Sequence, residues 1–372
     1  MLKVVIFTTT LVRQGPNNVL YNMLKSAKRK ETNIIFEILT ISPESNDSRI
    51  SEFEALNIPV TSMNLPAGIN AFLHLKQIEN KIKIMKPDNV QSANFRPDIL
   101  LSFMQLPGVI KLSTMWNYPY DDFTTQFGKT QGRLMSLFLL KRLKSFTAVT
   151  TCSQFIANKI NRKDISLGII YTGVDSDYFS PLKSEQRVIA RKKMGIKDDD
   201  VVFIYIANMI PRKNPLFLIR AFKKFKNDKA KLLIMGDGPL LDQSHKEASN
   251  DDRIIFLGRK ADTLSDLRIS DYYVSPSTSE GFPTAVLEAA SVGLKPILSN
   301  IQPHLELLNY DPNKLSFSLD SEDELTKCFK LAMNDKKLFD YRKLVEENFT
   351  DDQMYINYKN LYKYLTGDVL IR

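Results

Sequence analysis

The chain has 372 residues, 43% hydrophobic and 25% charged, with a formal net charge of +9, a balance that allows two domains with full cores and excludes a disordered chain. Its two cysteines, Cys152 and Cys328, are too few and too far apart for a disulfide framework or a zinc site, so a reducing, cytoplasmic compartment is expected. No stretch approaches the roughly 20 apolar residues that span a bilayer, and the short apolar run after Met1 reads as a first strand rather than a signal peptide.

Strand and helix patterns alternate from the start. Val4–Thr9 predicts a strand and Asn17 to about Lys28 a helix, with Gly15-Pro16-Asn17-Asn18 as the turn between them. The glycine lets the backbone approach a ligand closely, and the asparagines suit a helix cap. Ile34–Ile41 predicts a strand, followed by helices over Arg49–Leu56 and His74–Lys86. Pro97–Phe103, Val109–Thr114 and Thr147–Cys152 predict further strands, and Gln154–Ile160 a helix. Strands alternating with helices imply a parallel, doubly wound sheet.

The positive charge is concentrated in this half: residues 1–180 hold 21 basic and 14 acidic side chains. Its densest part is Lys129 to Lys144, where Lys129, Arg133, Lys141, Arg142 and Lys144 surround Leu134-Met-Ser-Leu-Phe-Leu-Leu. Such a helix either lies on an anionic membrane surface or is a core helix with a solvated basic rim, and the pattern leaves both open. No nucleic-acid-binding motif accompanies the charge, which argues against that class of partner.

Pro181 to Asp200 is polar and charged and predicts a linker into a second alternating series. There Val201–Ala207, Ala230–Met235, Arg253–Leu257, a short segment from Asp271 and Lys295–Ser299 predict strands, and Pro215–Phe225 a helix. A charged helical tail follows from about Glu322 to Leu365, with His304 in a loop before it. The expected product is a pair of Rossmann-like, doubly wound α/β domains, 1–180 and 181–345, facing a central cleft, with a helical tail, 346–372, packing back on the first. Ligands of such folds bind outside the carboxyl ends of the strands.

The segment Ser279-Glu280-Gly281-Phe282-Pro283-Thr284-Ala285-Val286-Leu287-Glu288 is the most informative part of the chain. It sets two carboxylates eight residues apart around a Gly-Phe-Pro turn and the start of an apolar helix. Free backbone N–H groups at that helix start, with the positive end of its dipole, suit a phosphate or a sugar hydroxyl. Glu280 would sit beside them, and Glu288, about two turns along, could accept hydrogen bonds from a diol. Upstream, Asn214 as N-cap and Pro215 as first helical residue predict another helix start. Arg212 and Lys213 crowd it, an arrangement that makes physical sense with an anion between them. Asp175-Ser-Asp177 spells a metal-binding Asp-x-Asp, but it stands before a linker and reads as a turn.

The Glu280–Glu288 segment resembles the E-x7-E signature of the retaining glycosyltransferases of family 4, whose fold is GT-B. The resemblance implies that Glu280 lies near the donor sugar, that Glu288 binds the ribose, and that Lys213 binds the donor diphosphate. Relatives often carry Arg at the place of Asn208, and Arg212 is the candidate to compensate. Phe256-Leu-Gly258-Arg259-Lys260 is similar to the loop that holds the donor base by its backbone. Gly236-Asp237-Gly238-Pro239 matches the family's turn after a core strand, and Tyr171–Pro181 its segment before the linker. The backbone of Gly281, Phe282, Pro283 and Thr284 joins Lys213 and Arg212 around the diphosphate, and the Gly15 loop lies near the transferred sugar. In Ser113–Asp122 relatives usually have His where this chain has Trp116, followed by Asn117. Trp116 is therefore a stacking platform, a core residue or the mark of a weakened enzyme. The resemblance implies a UDP-sugar donor, a saccharide or lipid-linked saccharide acceptor as in bacterial surface polysaccharide assembly, and no cofactor or catalytic metal. Two other classes stay open: a non-catalytic glycan-binding or partner subunit, and a nucleotide-sugar epimerase.

Overall fold

The computed structural model describes residues 1–30, 33–66, 72–335 and 339–367. They form two compact units, Met1–Gly173 with the segment from Asp351 onward, and Val174–Thr350.

The first unit is built on a seven-stranded sheet of β1 (Leu2–Thr8), β2 (Ile34–Thr40), β3 (Val60–Ser62), β4 (Asn89–Ser92), β5 (Ile110–Met115), β6 (Ala148–Thr151) and β7 (Leu167–Ile169). Its order is β3-β2-β1-β4-β5-β6-β7, parallel throughout. Val4, Val5, Ile6 and Phe7 are all fully buried, as a strand covered by helices on both faces requires. The second unit holds six parallel strands: β8 (Val201–Ile206), β9 (Ala230–Met235), β10 (Ile254–Gly258), β11 (Tyr272–Ser275), β12 (Lys295–Ser299) and β13 (Leu315–Phe317). Their order is β10-β9-β8-β11-β12-β13. Each unit is thus Rossmann-like and doubly wound. The order reverses between β1 and β4 in one and between β8 and β11 in the other, the place where such sheets open a crevice.

The chain returns to the first unit at Asp351. Met354, Tyr355, Tyr358 and Tyr362 of the helix Asp351–Leu365 join the core formed by β1, β2 and the helix Gly15–Arg29. Arg29 secures the entry with contacts of 2.9 Å to Asp351 and 2.7 Å to Asp352. Among the described residues no helix is long and apolar enough to cross a membrane. Cys152 and Cys328 are buried thiols, one in each unit, with no disulfide between them.

Four local expectations are corrected. Pro97–Phe103 is not a strand but part of the helix Phe95–Phe103. Pro97 sits in its first turn, where a missing N–H costs nothing, and burial on nearly every side hides the helical period. The supposed linker contains the helix Ser184–Lys193, whose buried Arg191 bonds the carbonyls of Ile269, Lys197 and Asp200 and pairs with Asp271 at 3.1 Å. His304 lies on the helix Gln302–Leu308 and is fully buried, not in a loop. Gly15 and Asn17 fall inside the first helix rather than before it. Asn17 does not cap it; its amide donates to the Thr10 and Val12 carbonyls at 3.0 and 2.8 Å, pinning the preceding loop.

Candidate functional site

In the second unit β8 and β11 are neighbours in the sheet, so the loops leaving their carboxyl ends emerge side by side at the reversal of strand order. The loop after β8 carries Asn208, Arg212 and Lys213, and the loop after β11 leads to Glu280. Backbone contacts fix their spacing. The Arg212 carbonyl accepts from the Thr278 N–H at 2.9 Å. The Asp237 carbonyl accepts from the Met209 N–H at 2.8 Å, and the Met209 carbonyl from Leu240 N–H at 2.9 Å.

Gly236 and Gly238 make that second contact possible, with φ of +150° and +146°. A Cβ on Gly236 would stand 1.9 Å from the Ala207 carbonyl oxygen, and one on Gly238 2.8 Å from that of Met209. These glycines let two loops touch backbone to backbone. Gly236→Ala is expected to cost about 2–3 kcal/mol in urea unfolding, from the clash and the disfavoured φ together.

Arg212 and Lys213 form a 3-10 turn with Pro211, and Asn214 follows in the left-handed conformation at φ 53°. Asn tolerates this region. Its side chain makes no cap bond to the helix Pro215–Lys224, so the expected N-cap is not formed by its side chain. The turn aims both cations at Glu280. Lys213 Nζ bonds Glu280 Oε1, while the Arg212 guanidinium lies 3.1 Å from Oε2 and donates to the Ser279 carbonyl at 2.7 Å. Burial would push the Glu280 carboxyl up, but Lys213, Arg212 and nearby His304 hold it at about 2. Burial lowers the Lys213 ammonium; Glu280 opposes this and Arg212 adds to it. Two cations share one carboxylate, so the cluster carries net positive charge. Beside it the helix Thr284–Ser291 begins. Among the described residues, the N–H groups of Gly281 and Thr284 donate to no acceptor, a second source of positive potential. Pro283, at the N-cap position, adds no donor of its own.

Glu288 lies on that helix with no hydrogen-bonding or ion-pairing partner among the described residues. Burial alone raises its carboxyl to about 7. Tyr273 feels both Glu280 and Glu288 and is held by donating to the Ile206 carbonyl at 2.9 Å. An acid whose pKa rises on folding weakens the fold above its unfolded value. The penalty grows from about pH 4.5 to 7, is complete above that, and amounts to at most about 3 kcal/mol. Glu288→Gln is therefore expected to leave stability unchanged near pH 4 and to raise it at pH 8, as urea titrations at both pH values will show.

Beneath the cluster lies a polar layer of which the sequence pointed only to His304, as a residue able to approach the cleft. His304 Nδ1 donates to the Ser299 carbonyl at 3.1 Å and also contacts the Ser299 hydroxyl at 3.0 Å, which in turn donates to the Ser277 carbonyl at 2.7 Å. Burial depresses the imidazole to about 4, so it is neutral at pH 7. Tyr205 donates to the Lys213 carbonyl at 3.2 Å. The only sequence signal for Tyr205, Ser277 and Ser299 is their place at or just after strand ends.

The other predicted residues are spread along the strand ends of both units. Asn208 is exposed just after β8, and Gly258 and Arg259 are exposed at the end of β10. Phe282 is buried against Phe349 at 5.4 Å between ring centres. In the first unit Gly15 follows β1, with open space where a side chain would project. Trp116 and Asn117 follow β5. Trp116 is half-buried against the core, and its indole N–H is buried without a partner among the described residues. Asp175 accepts from the Tyr178 N–H at 3.0 Å, a turn contact. Among the described residues no three of His, Cys, Asp and Glu form a group that could hold a metal ion.

Residues 186–349 match the family described as glycosyl transferases group 1. The O-antigen biosynthesis glycosyltransferase WclY of Escherichia coli is 24% identical over 99% of this chain and 100% of its own length. The alpha-monoglucosyldiacylglycerol synthase of Streptococcus pneumoniae is 30% identical over 77% of this chain and 68% of its own. Among solved structures, Anabaena Alr3699/HepE in complex with UDP and glucose superposes with a TM-score of 0.81 at 14% identity, covering 98% of this chain and 100% of that one. Two parallel Rossmann-like sheets, this neighbour and the family match together establish the GT-B fold. The chain belongs to the group 1 glycosyl transferases and is a glycosyltransferase.

Proposed function

We propose that the protein is a retaining, family-4 glycosyltransferase that moves a sugar from a UDP-sugar to a saccharide acceptor during assembly of a bacterial surface polysaccharide. The observation that carries this reading is the Arg212–Glu280–Lys213 cluster at the β8/β11 crevice, beside a helix start whose N–H groups at Gly281 and Thr284 are unpaired among the described residues. Such a site suits a diphosphate. The UDP bound by the Anabaena neighbour and the O-antigen role in the name of the E. coli relative support the donor and the pathway class.

In the proposed step the bond between the sugar C1 and the diphosphate oxygen breaks, and the electron pair stays on the diphosphate. Lys213, Arg212 and the N–H groups of Gly281 and Thr284 stabilise that charge. The acceptor hydroxyl bonds C1 on the face the leaving group vacates, and its proton passes to the departing phosphate oxygen. Glu280 orients Lys213 and faces the sugar, and Glu288 accepts from the ribose diol. Gly258 and Arg259 hold the base, with Asn208 on the diphosphate side. Gly15, Trp116 and Asn117 are the proposed sugar- or acceptor-proximal residues of the first unit. Because side-chain cations and N–H groups meet the developing charge, turnover is expected to survive chelation by EDTA.

Proton NMR of the product tests retention. An α-linked UDP-sugar must give an α-linked product, and a β-linked product rejects the mechanism.

A further inference from the structure

We propose that the outward face of the helix Lys129–Arg142, continued by Phe103 and Phe72, is a docking surface for an anionic lipid bilayer. The helix has a buried face and an exposed apolar one. One carries Gly132, Ser136 and Leu139 and is buried. A Cβ on Gly132 would lie 2.4 Å from the backbone of Phe123, so the helix rests directly on the preceding helix Pro119–Phe127. At 3.6 residues per turn, Leu134, Leu137 and Phe138 fall on the opposite side, and they are 64%, 56% and 45% exposed. The core alternative left open by the sequence is thereby answered: one face is core, and the other is not.

The exposed face does not end with the helix. Phe138 is 6.4 Å from Phe103, and Phe103 is 6.0 Å from Phe72, measured between ring centres. Next to Phe72, Leu73 is 82% exposed. Contiguous exposed apolar side chains mark a contact surface. Leu134, Leu137 and Leu73 are more than half exposed and project outward rather than line a groove, a shape suited to the headgroup layer of a bilayer.

Charge selects the kind of bilayer. The helix contains no Asp or Glu. Lys129, Arg133 and Lys141 have no acidic partner among the described residues. The Arg142 guanidinium lies over the Phe103 ring at 3.9 Å, placing a cation within the apolar row. Apolar side chains that enter the interface, ringed by cations free to meet lipid phosphates, are complementary to an anionic leaflet. This proposal is independent of the β8/β11 chemistry, because binding is read without turnover.

The test is co-sedimentation of the full chain with phosphatidylcholine vesicles, with and without phosphatidylglycerol. Binding is expected only with phosphatidylglycerol and should weaken as salt shortens the screening length. Lys129→Ala, Arg133→Ala and Lys141→Ala combined should lower the partition coefficient on the order of a hundredfold. Leu134→Ser with Leu137→Ser should also release the protein, with unchanged circular dichroism and thermal unfolding because both sites are exposed. UDP release with a soluble acceptor should persist in these variants, whereas Lys213→Ala should still bind vesicles. No binding at low salt, equal binding to neutral vesicles, or unchanged binding by both variants would overturn the proposal. So would a solution dimer that the Leu134 and Leu137 changes dissociate, since the occupant would then be a second copy.

Discussion

Replacing Lys213 with Ala is expected to slow UDP release from the donor by about 10²–10³-fold, the usual cost of one preorganised charge-stabilising group. The loss should fall on kcat more than KM, because negative charge on the diphosphate grows as the C1–O bond breaks. Arg212→Ala should cost less, since that guanidinium also serves the Ser279 carbonyl and the loop. A stopped assay of UDP against donor concentration separates the two parameters. A Lys213 variant that keeps its kcat would show that the cation only organises the loop.

Glu280→Ala has the other large effect, and it falls on stability as well as turnover. Lys213 and Arg212 converge on this single carboxylate, and Lys213 is already depressed by burial. Removing the counter-charge leaves two partly buried cations facing each other, a change expected to cost about 3–5 kcal/mol. The pair also ties the fold to acid. The Glu280 carboxyl is lowered on folding, so its contribution is complete above about pH 4.5 and fades as pH falls toward 2. Urea unfolding of the wild type and variant at pH 7 and pH 3 should show their difference narrowing in acid. Glu280→Gln, which keeps the shape and loses the charge, should lie nearer Ala than wild type if electrostatics dominates.

Glu288 shows the opposite balance. Its carboxylate is unpaired among the described residues and raised by burial, so it weakens the fold near neutral pH. A residue that costs stability at that place fits the role proposed for it, accepting from the hydroxyls of a ribose.

Much of the architecture was legible in the sequence, because parallel strands covered on both faces read as near-continuous apolar runs. Val4–Phe7, Ala230–Met235 and Lys295–Ser299 are clear cases. The failures have physical causes. Phe95–Phe103 is buried too completely to show a period, and Ser184–Lys193 is polar because most of it faces solvent, though Arg191 is buried. At the site, Lys213 and Glu280 each stood out by local chemistry. Their pairing did not, because it depends on β8 and β11 becoming neighbours across 67 positions of sequence. Nothing local marks His304 as buried, so the layer of His304, Ser299 and Ser277 emerged only from the packing.

The positive cluster at β8/β11 is proposed to drive departure of a nucleoside diphosphate from a sugar. Its most direct test measures UDP released from a panel of UDP-sugars by wild type and Lys213→Ala at equal folded concentration. Release from at least one donor is expected for the wild type, reduced at least about a hundredfold in the variant. Equal rates in both proteins, or no release from any donor in the presence of a saccharide acceptor, would contradict it.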